Sequence, residues 1–140
     1  MNGNDFMAWI LRSPLHGMVS KRLMLITITG RKTGKKVSIP VGYYEDGGYL
    51  WTYSSRDRTW WRNLQGGAEV LLRLKGKDVR AFSDTDLNEE SVCARLVDFL
   101  IHMPQAPRSF GIRMENKIPN AEDVARVGKT RLFVKTKLLE

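Results

Sequence analysis

The sequence predicts a mainly β (α+β) domain: six antiparallel strands in a closed or partly closed barrel, with an N-terminal helix and a late inserted helix. The strand-forming runs alternate apolar and polar residues with a period of two. Short hairpins join most of them, which implies antiparallel pairing. Both faces of the runs are partly apolar, and closing the sheet would remove its edges. The 140 residues suit a single domain over residues 1–140.

The first predicted element is a helix within residues 1–22. Residues Asp5–Val19 carry an apolar stripe at helical spacing, although Pro14 and Gly17 interrupt it. Most helices with such a stripe pack over a core. The alternatives are a lid over a ligand site and a helix that lies on a membrane surface. The stripe consists of Phe6, Trp9, Ile10 and Met18.

Two predicted strands enclose a strongly basic turn. The period of two begins at Leu23 and resumes from Val37 to Tyr44. Pro40 cannot donate a hydrogen bond within a sheet, so it marks an edge position or a bulge. The turn between the strands, Gly30–Lys36, carries four cations in seven residues: Arg31, Lys32, Lys35 and Lys36.

The rest of the barrel follows in short steps. A Glu-Asp-Gly-Gly sequence at residues 45–48 predicts a tight hairpin. A polar loop over residues 54–59 enters a short helical turn, Trp60–Leu64, which ends at the glycine pair of residues 66–67. Together with the first two strands, these elements make up the barrel segment of residues 23–83. Its remaining strands are Tyr49–Tyr53, Ala68–Lys75 and Asp78–Ser83.

The late helix is predicted over residues 86–103, because Asp86 and Glu89 have the spacing of a capping box. Pro104 then stops it. A last short helix, Ala121–Val127, is predicted to be capped by Asn120 together with Asp123, and a closing strand over residues 130–138 completes the barrel.

Composition limits the classes of function. A formal net charge of +8 favours anionic partners such as phosphorylated cofactors, nucleic acid or anionic lipid, without choosing among them. With Cys93 as the single cysteine, an internal disulfide and a thiolate metal site are excluded. With only two histidines, His16 and His102, no metal site is expected. The run Phe6–Leu11 is too short to span a membrane and lacks the flanks of a signal peptide. The absence of disulfides agrees with a cytoplasmic location, which we expect.

Familiar catalytic motifs are missing from the sequence. The Gly30–Lys36 turn is not a Walker loop, since its glycines are spaced differently and it joins two strands. No serine, histidine and acid suggest a hydrolytic triad. We interpret His16 as a structural or solvated residue and Cys93 as a small core residue.

What remains is a constellation of three parts: the basic turn, the loop Ser54–Arg58 and the turn Trp60–Asn63. Antiparallel pairing can bring the loop after Tyr53 near the basic turn. Cations and hydroxyls would then lie beside flat aromatic rings, as a phosphorylated ring system requires. Backbone N–H groups freed by glycine could add to the anion site. The alternatives are a solvated hairpin and plain core packing of at least one indole.

The pattern LxLITITGRKTGK…SIPV…DGGYLW…SSR…WWRNL…AEVLLRLKG, over about Leu23 to Phe82, resembles the deazaflavin-dependent nitroreductase and quinone reductase family of the flavin split-barrel superfamily. The ordered pair of GRKTGK and W-x-x-N-L is its most specific part. The resemblance implies a split β-barrel that binds a deazaflavin coenzyme of the 8-hydroxy-5-deazaflavin type, or alternatively FMN, with the cofactor phosphate near the basic turn.

The resemblance also implies roles for individual residues. Arg31 and Lys32 would contact the cofactor phosphate or tail, with Lys35 in the same turn. Trp60 and Asn63 would hold the short helix against the site. The loop after the third strand would line the cofactor with Ser54, Ser55 and Arg56. The sequence departs from many relatives at Val37, where they have an arginine, and in a shorter loop at Ser55–Thr59.

The first functional hypothesis is a reductase that passes hydride from the reduced cofactor to a small electrophilic acceptor such as a quinone, an enone or a nitro compound. The cofactor would carry the difficult chemistry, which agrees with the lack of a visible acid–base pair. The catalytic residues are not identified by the sequence. Tyr43, Tyr44 and Tyr53 are weak candidates for proton delivery, and solvent could serve equally well.

Two alternatives stay open. One is a non-enzymatic cofactor binder, or a barrel that binds single-stranded nucleic acid through aromatic residues and cations. The basic residues are spread along the whole chain and there is no RNP-like motif, so this hypothesis ranks below the reductase. The other is a relative that has lost its cofactor. A homodimer is compatible with each of these hypotheses.

Overall fold

The computed structural model describes residues 23–102, 107 and 110–139. The helix predicted over residues 1–22, with its apolar stripe, lies outside these residues. The described helices are α1 (Glu89–His102), α2 (Ala121–Gly128) and a short 3-10 helix (Trp60–Leu64). The described strands are β1 (Leu23–Thr29), β2 (Lys36–Gly42), β3 (Tyr44–Asp46), β4 (Tyr49–Ser55), β5 (Ala68–Leu74), β6 (Lys77–Asp86), β7 (Met114–Glu115), β8 (Ile118–Pro119) and β9 (Arg131–Leu138).

Seven strands form one sheet in the order β2-β1-β5-β6-β9-β4-β3, so the prediction of six strands is wrong by one. The run predicted as a single strand, Val37–Tyr44, divides at Tyr43. Before this residue β2 pairs antiparallel with β1, and after it β3 pairs antiparallel with β4. The period of two continues through both strands, which is why the change of partner leaves no mark in the hydrophobic pattern.

The sheet is curled into a half-barrel. Its two edge strands, β2 and β3, are separated in the sequence by Tyr43 alone. Consecutive Cα atoms lie about 3.8 Å apart, so the chain can pass from one edge to the other through one residue only if the sheet bends back on itself. The predicted antiparallel, mainly β architecture is confirmed in this form.

The inner face of the sheet carries a dense apolar core. Ile26 of β1 lies opposite Ile39 of β2 and opposite Leu72 of β5. Ile26 and Leu72 are almost completely buried, as are Met24, Ala81 and Val134. Alternation of inward apolar residues along neighbouring strands is what fixes the register of such a sheet.

The chain divides into two compact units. Of the described residues, the first unit contains 23–53, Thr59–Thr85 and 134–139, and it holds nearly all of the sheet. The second contains Ser54–Arg58 and Asp86–Phe133, and therefore both α-helices and the β7–β8 ribbon.

The late helix begins three residues after the predicted cap. Asn88, not Asp86, is the N-terminal cap of α1, because its Oδ1 accepts the Ser91 N–H at 3.0 Å. Asp86 still ends β6, and its Oδ1 accepts the Asn88 N–H at 3.1 Å. The predicted Asp86–Glu89 capping box is therefore wrong.

The second helix, α2, begins as predicted, since the Asn120 side chain accepts the Asp123 N–H at 3.0 Å. It packs on α1 where Gly128 meets Cys93: a Cβ atom built on Gly128 would lie 2.5 Å from the Cys93 sulfur. The half-buried Cys93 thiol also lies 3.8 Å from the Val124 carbonyl oxygen. This cysteine therefore fills space between the helices, as the sequence predicts.

The described ranges contain neither a membrane-spanning helix nor a cluster of metal-binding side chains. Neither α-helix there is long and apolar enough to cross a membrane. Within the same ranges, no group of three or more histidine, cysteine, aspartate or glutamate side chains is arranged to hold a metal ion.

Candidate functional site

The basic turn has a defined conformation. β1 and β2 pair up to Thr29 and Lys36, which leaves residues 30–35 as the connection. The Gly30 N–H donates to the Lys35 carbonyl, and the Gly34 N–H donates to the Gly30 carbonyl, both at 2.8 Å. Gly34 has a φ of +68°, a conformation that glycine adopts without strain. The Thr33 hydroxyl accepts the Lys35 N–H at 3.2 Å.

These bonds turn the charged side chains outward. Arg31, Lys32, Lys35 and Lys36 are all exposed. Four cations on one short, ordered turn repel one another unless an anion or bulk water faces them. The turn therefore suits a phosphate or carboxylate group: its backbone is already ordered, and its lysine side chains are flexible enough to adapt to a ligand.

The turn is joined to the 3-10 helix by hydrogen bonds. The Arg31 N–H donates to Asn63 Oδ1 at 3.0 Å, and the Arg31 guanidinium donates to the Gln65 carbonyl oxygen. Asn63 is fixed in turn, because its Nδ2 donates to the Trp60 carbonyl at 3.2 Å. The structure thus brings together two of the three predicted parts of the constellation, the basic turn and the turn Trp60–Asn63.

The two indoles belong to the core. Trp60 and Trp61 are only 6% and 5% exposed. The Arg62 guanidinium lies over the Trp61 ring, 5.5 Å from its centroid. Burial on this scale agrees with the core-packing alternative for both rings, and with a role of Trp60 in holding the 3-10 helix in place.

The predicted loop Ser54–Arg58 lies in the second unit, and its first two residues belong to β4, so the predicted strand end at Tyr53 is two residues too early. Ser54 is buried, and its hydroxyl donates to the Ser55 carbonyl at 3.1 Å. The Ser55 hydroxyl accepts the Asp57 N–H at 3.4 Å. The predicted approach of this loop to the basic turn stays a prediction, as do the cofactor contacts of its hydroxyl groups.

Arg56 is strongly engaged within the second unit. Its Nε donates to the Arg131 carbonyl at 2.9 Å, and its Nη2 donates to the Leu87 carbonyl at 3.0 Å. Its backbone N–H donates to the Thr130 carbonyl at 3.0 Å. Arg56 therefore joins the start of β9 to the segment before α1, a structural role that the sequence did not indicate.

The three tyrosine candidates differ in access. Tyr43 and Tyr44 are each only 5% exposed, whereas Tyr53 is 38% exposed. Burial raises the pKa of the Tyr43 hydroxyl above its ordinary value, and the negative charge of Glu45 raises that pKa further. The raised pKa makes the Tyr43 hydroxyl even less able to lose its proton than an ordinary tyrosine, so it suits a hydrogen-bond donor rather than a base.

Sequence reasoning missed two contributors to this region. Gln65 acts through its backbone carbonyl, which leaves no signal in the side-chain pattern. Gly67 supports the end of the 3-10 helix, where its N–H donates to the Leu64 carbonyl at 2.9 Å. The glycine pair of residues 66–67 was visible in the sequence, but only as the end of the helical turn.

Comparison with known proteins identifies the family. The family model for F420H(2)-dependent quinone reductases matches residues 13–119, which is more than half of the 140-residue chain. The chain belongs to this family. The predicted family resemblance is confirmed, and with it the deazaflavin class of cofactor that the family name specifies. Comparison with curated proteins yields no match.

Solved structures share the fold at low sequence identity. The F420-H2 dependent reductase FDR-A is 17% identical, with a TM-score of 0.54 over 82% of this chain and 94% of that chain. An F420 reductase is 11% identical, with a TM-score of 0.51 over 100% and 96% of the two chains. The general stress FMN/FAD binding protein from Xanthomonas citri is 14% identical, with a TM-score of 0.51 over 86% and 78%. Such likenesses show the fold alone.

Proposed function

We propose that this protein is a deazaflavin-dependent reductase that passes hydride to a small electrophilic acceptor such as a quinone, an enone or a nitro compound. Membership of the F420H(2)-dependent quinone reductase family supports the oxidoreductase class and the cofactor class. The identity of the acceptor is our proposal. When bound, the reduced deazaflavin supplies the hydride, and the protein supplies position and electrostatics.

The observation that carries the proposal is the ordered basic turn. Its backbone is held by hydrogen bonds of 2.8 Å, and its cations are exposed. We assign the anionic part of the cofactor to the basic turn that contains Arg31, Lys32 and Lys35. Asn63 and Trp60 support the turn without contacting the cofactor, because they hold the 3-10 helix against it.

We further propose that Ser54, Ser55 and Arg56 line the cofactor. Ser55 offers a hydroxyl group for the polar edge of a ring system, whereas the buried Ser54 and Arg56 would act mainly by fixing this segment. Reduction of the acceptor also needs one proton. Solvent or Tyr53 would deliver it, since Tyr53 is the most exposed of the three tyrosine candidates.

Binding of single-stranded nucleic acid has less support. Such sites stack successive bases on exposed aromatic rings, whereas Trp60 and Trp61 are nearly fully buried. FMN remains the alternative cofactor, because an FMN/FAD binding protein shares the fold. A cytoplasmic location, a membrane-surface contact and a homodimer stay predictions.

Titration of the purified protein with F420 and, separately, with FMN tests the proposal. Quenching of fluorescence from the four tryptophans reports binding, and we expect micromolar affinity for F420. Reduced F420 should then be oxidised on addition of a quinone. If neither cofactor binds at micromolar concentration, the proposal is wrong; tight binding without turnover of quinone, enone or nitro compounds would instead identify a cofactor carrier.

A charge-matched control separates a local effect of the turn from net charge. Lys32→Gln should weaken cofactor binding. Lys77→Gln removes the same charge from an exposed site at the other end of the sheet. The basic turn follows the end of β1, whereas Leu25 near the start of β1 lies opposite Arg73 of β5. Lys77 is close to Arg73, because it lies opposite Leu74, the next residue of β5. Lys77→Gln should leave cofactor affinity unchanged. Equal losses in both variants would show that only the overall charge of the protein matters.

A further inference from the structure

We infer that Arg31 is a clamp that fixes the basic turn to the 3-10 helix, and that Lys32 and Lys35 supply the charge that meets the anionic part of the cofactor. The ligand in this inference rests on the proposed function, whereas the clamp rests on contacts within the protein. The division of roles differs from the sequence interpretation, in which Arg31 contacts the phosphate directly.

The first reason is that Arg31 forms two hydrogen bonds to the segment of the 3-10 helix, one from its backbone and one from its side chain. Its backbone N–H donates to Asn63 Oδ1 at 3.0 Å, and its guanidinium donates to the Gln65 carbonyl. Both acceptors belong to the short helix or to the residue after it. A residue that is held at its main chain and at the end of its side chain has little freedom to follow a ligand.

The second reason is the position of the acceptor. Gln65 is the C-terminal cap of the 3-10 helix, and its N–H donates to the Arg62 carbonyl at 3.4 Å. Carbonyl groups at the end of a helix lack partners within the helix and carry partial negative charge. A guanidinium donor is a suitable partner for such a group, so the positive charge of Arg31 is already engaged by the Gln65 carbonyl within the protein.

The third reason is the contrast with the neighbouring lysines. Lys32 and Lys35 are exposed, and within the described part of the chain neither forms a salt bridge. The main chain of Lys35 helps to shape the turn, through its carbonyl and its N–H, while both lysine side chains are exposed. A flexible ammonium group adapts readily to an anion that arrives. Lys36 lies in β2, opposite Thr29, and so belongs to the strand rather than to the connection.

The clamp would raise cofactor affinity by holding the basic turn in one conformation before the cofactor binds. A ligand that binds a turn already held in one conformation does not bear the entropic cost of ordering it. Loss of the clamp should therefore weaken binding without removing a contact between charges. Loss of Lys32 or Lys35 should weaken binding and also reduce its sensitivity to salt, because screening by salt acts on the ion pairs.

Cofactor titrations at several salt concentrations distinguish the two roles. We expect Lys32→Met and Lys35→Met each to lower F420 affinity about three- to tenfold and to flatten its salt dependence. Arg31→Met and Asn63→Ala should lower affinity by a similar factor at unchanged salt dependence, and their effects should not add, because both residues hold the same contact. Lys77→Met, which removes an exposed charge at the other end of the sheet, is the charge-matched control and should change neither quantity.

An Arg31→Met variant that flattens the salt dependence as much as Lys32→Met would overturn the inference, since Arg31 would then be meeting the ligand. Independent, additive losses in Arg31→Met and Asn63→Ala would also overturn it.

A measurement without cofactor tests the clamp separately. The Arg31 amide should exchange slowly with solvent in the wild-type protein, faster in Asn63→Ala, and slowly again in Asn63→Asp, which keeps an acceptor oxygen. If the wild type binds neither F420 nor FMN, the proposed function fails while this experiment still decides on the clamp. Equal exchange rates in the wild type and Asn63→Ala would show that the clamp does not exist.

Discussion

Gly67 lies directly against the ring of Phe82. A Cβ atom built on Gly67 would be 2.4 Å from the Phe82 Cζ atom and 2.9 Å from Cε1, closer than atoms that are not bonded can approach. Gly67 also has a φ of +96°. It connects the 3-10 helix, which the basic turn contacts, to β5, so the fit of this glycine under an aromatic ring helps to set where the short helix ends.

We predict that Gly67→Ala destabilises the protein by about 2–4 kcal/mol, because it combines backbone strain with a steric clash. The free energy of unfolding from urea titration measures the effect. Gly66→Ala is the matched control: its φ is +81°, but no atom lies within 4 Å of the added Cβ. Its loss should be smaller. Phe82→Leu should recover part of the Gly67→Ala loss, and equal losses at both glycines would contradict the steric explanation.

A buried pair of hydroxyl groups joins β6 to β9. Ser83 Oγ and Thr136 Oγ1 are 2.7 Å apart, and both residues are completely buried. Removing one hydroxyl leaves the other without its partner in an apolar environment, so we predict that Thr136→Val costs about 1–3 kcal/mol of unfolding free energy.

The double variant Ser83→Ala/Thr136→Val should cost clearly less than the sum of the two single variants, since it removes both partners at once. Denaturant unfolding of the four proteins completes the cycle. Strictly additive losses would show that the hydroxyl pair contributes nothing beyond packing.

The pH dependence of stability should report on Asp123. The Arg113 guanidinium and backbone N–H both donate to Asp123 Oδ2 at 2.9 Å, and these bonds hold the pKa of Asp123 well below its usual range. A carboxyl group whose pKa is lowered on folding stabilises the protein above its unfolded pKa of about 3.9. This contribution is lost as the pH falls from there toward the folded pKa.

Asp123→Asn should therefore be less stable than the wild type at pH 7, and the difference should shrink as the pH falls below about 4. Thermal or urea unfolding between pH 7 and pH 2 measures it. Glu122→Gln is a suitable control, since this neighbouring residue is exposed. A difference that stays constant over the whole range would mean that the ionised form of Asp123 is not the source of its stabilising effect.

The sequence predicted most of the sheet because its inward positions repeat every second residue. Ile26, Ile39 and Leu72 lie in one core, as the alternation of their strands requires. It did not predict the division at Tyr43, because β3 continues the same alternation after the chain has changed its pairing partner. The start of α1 was misplaced for a similar reason: both Asp86 and Asn88 are capping residues by type, and only the end of β6 decides between them.

The candidate site was predicted in outline. The grouping of the basic turn with the Trp60–Asn63 turn is found in the structure, through the Arg31–Asn63 hydrogen bond. The bond from Arg31 to a backbone carbonyl and the three bonds that engage Arg56 were not predicted, because main-chain acceptors have no sequence signature. The burial of both indoles was left open in the sequence, since aromatic residues serve both cores and binding surfaces.

The single-residue link at Tyr43 also bears on the dynamics of the sheet. Edge strands are usually the first to fray, each independently of the other. Here β2 and β3 are the two edges and are covalently joined through one residue. Detachment of β2 must therefore pull on β3, so the two edges should open together, as one cooperative event, and protect each other from the strand-to-strand pairing that leads to aggregation.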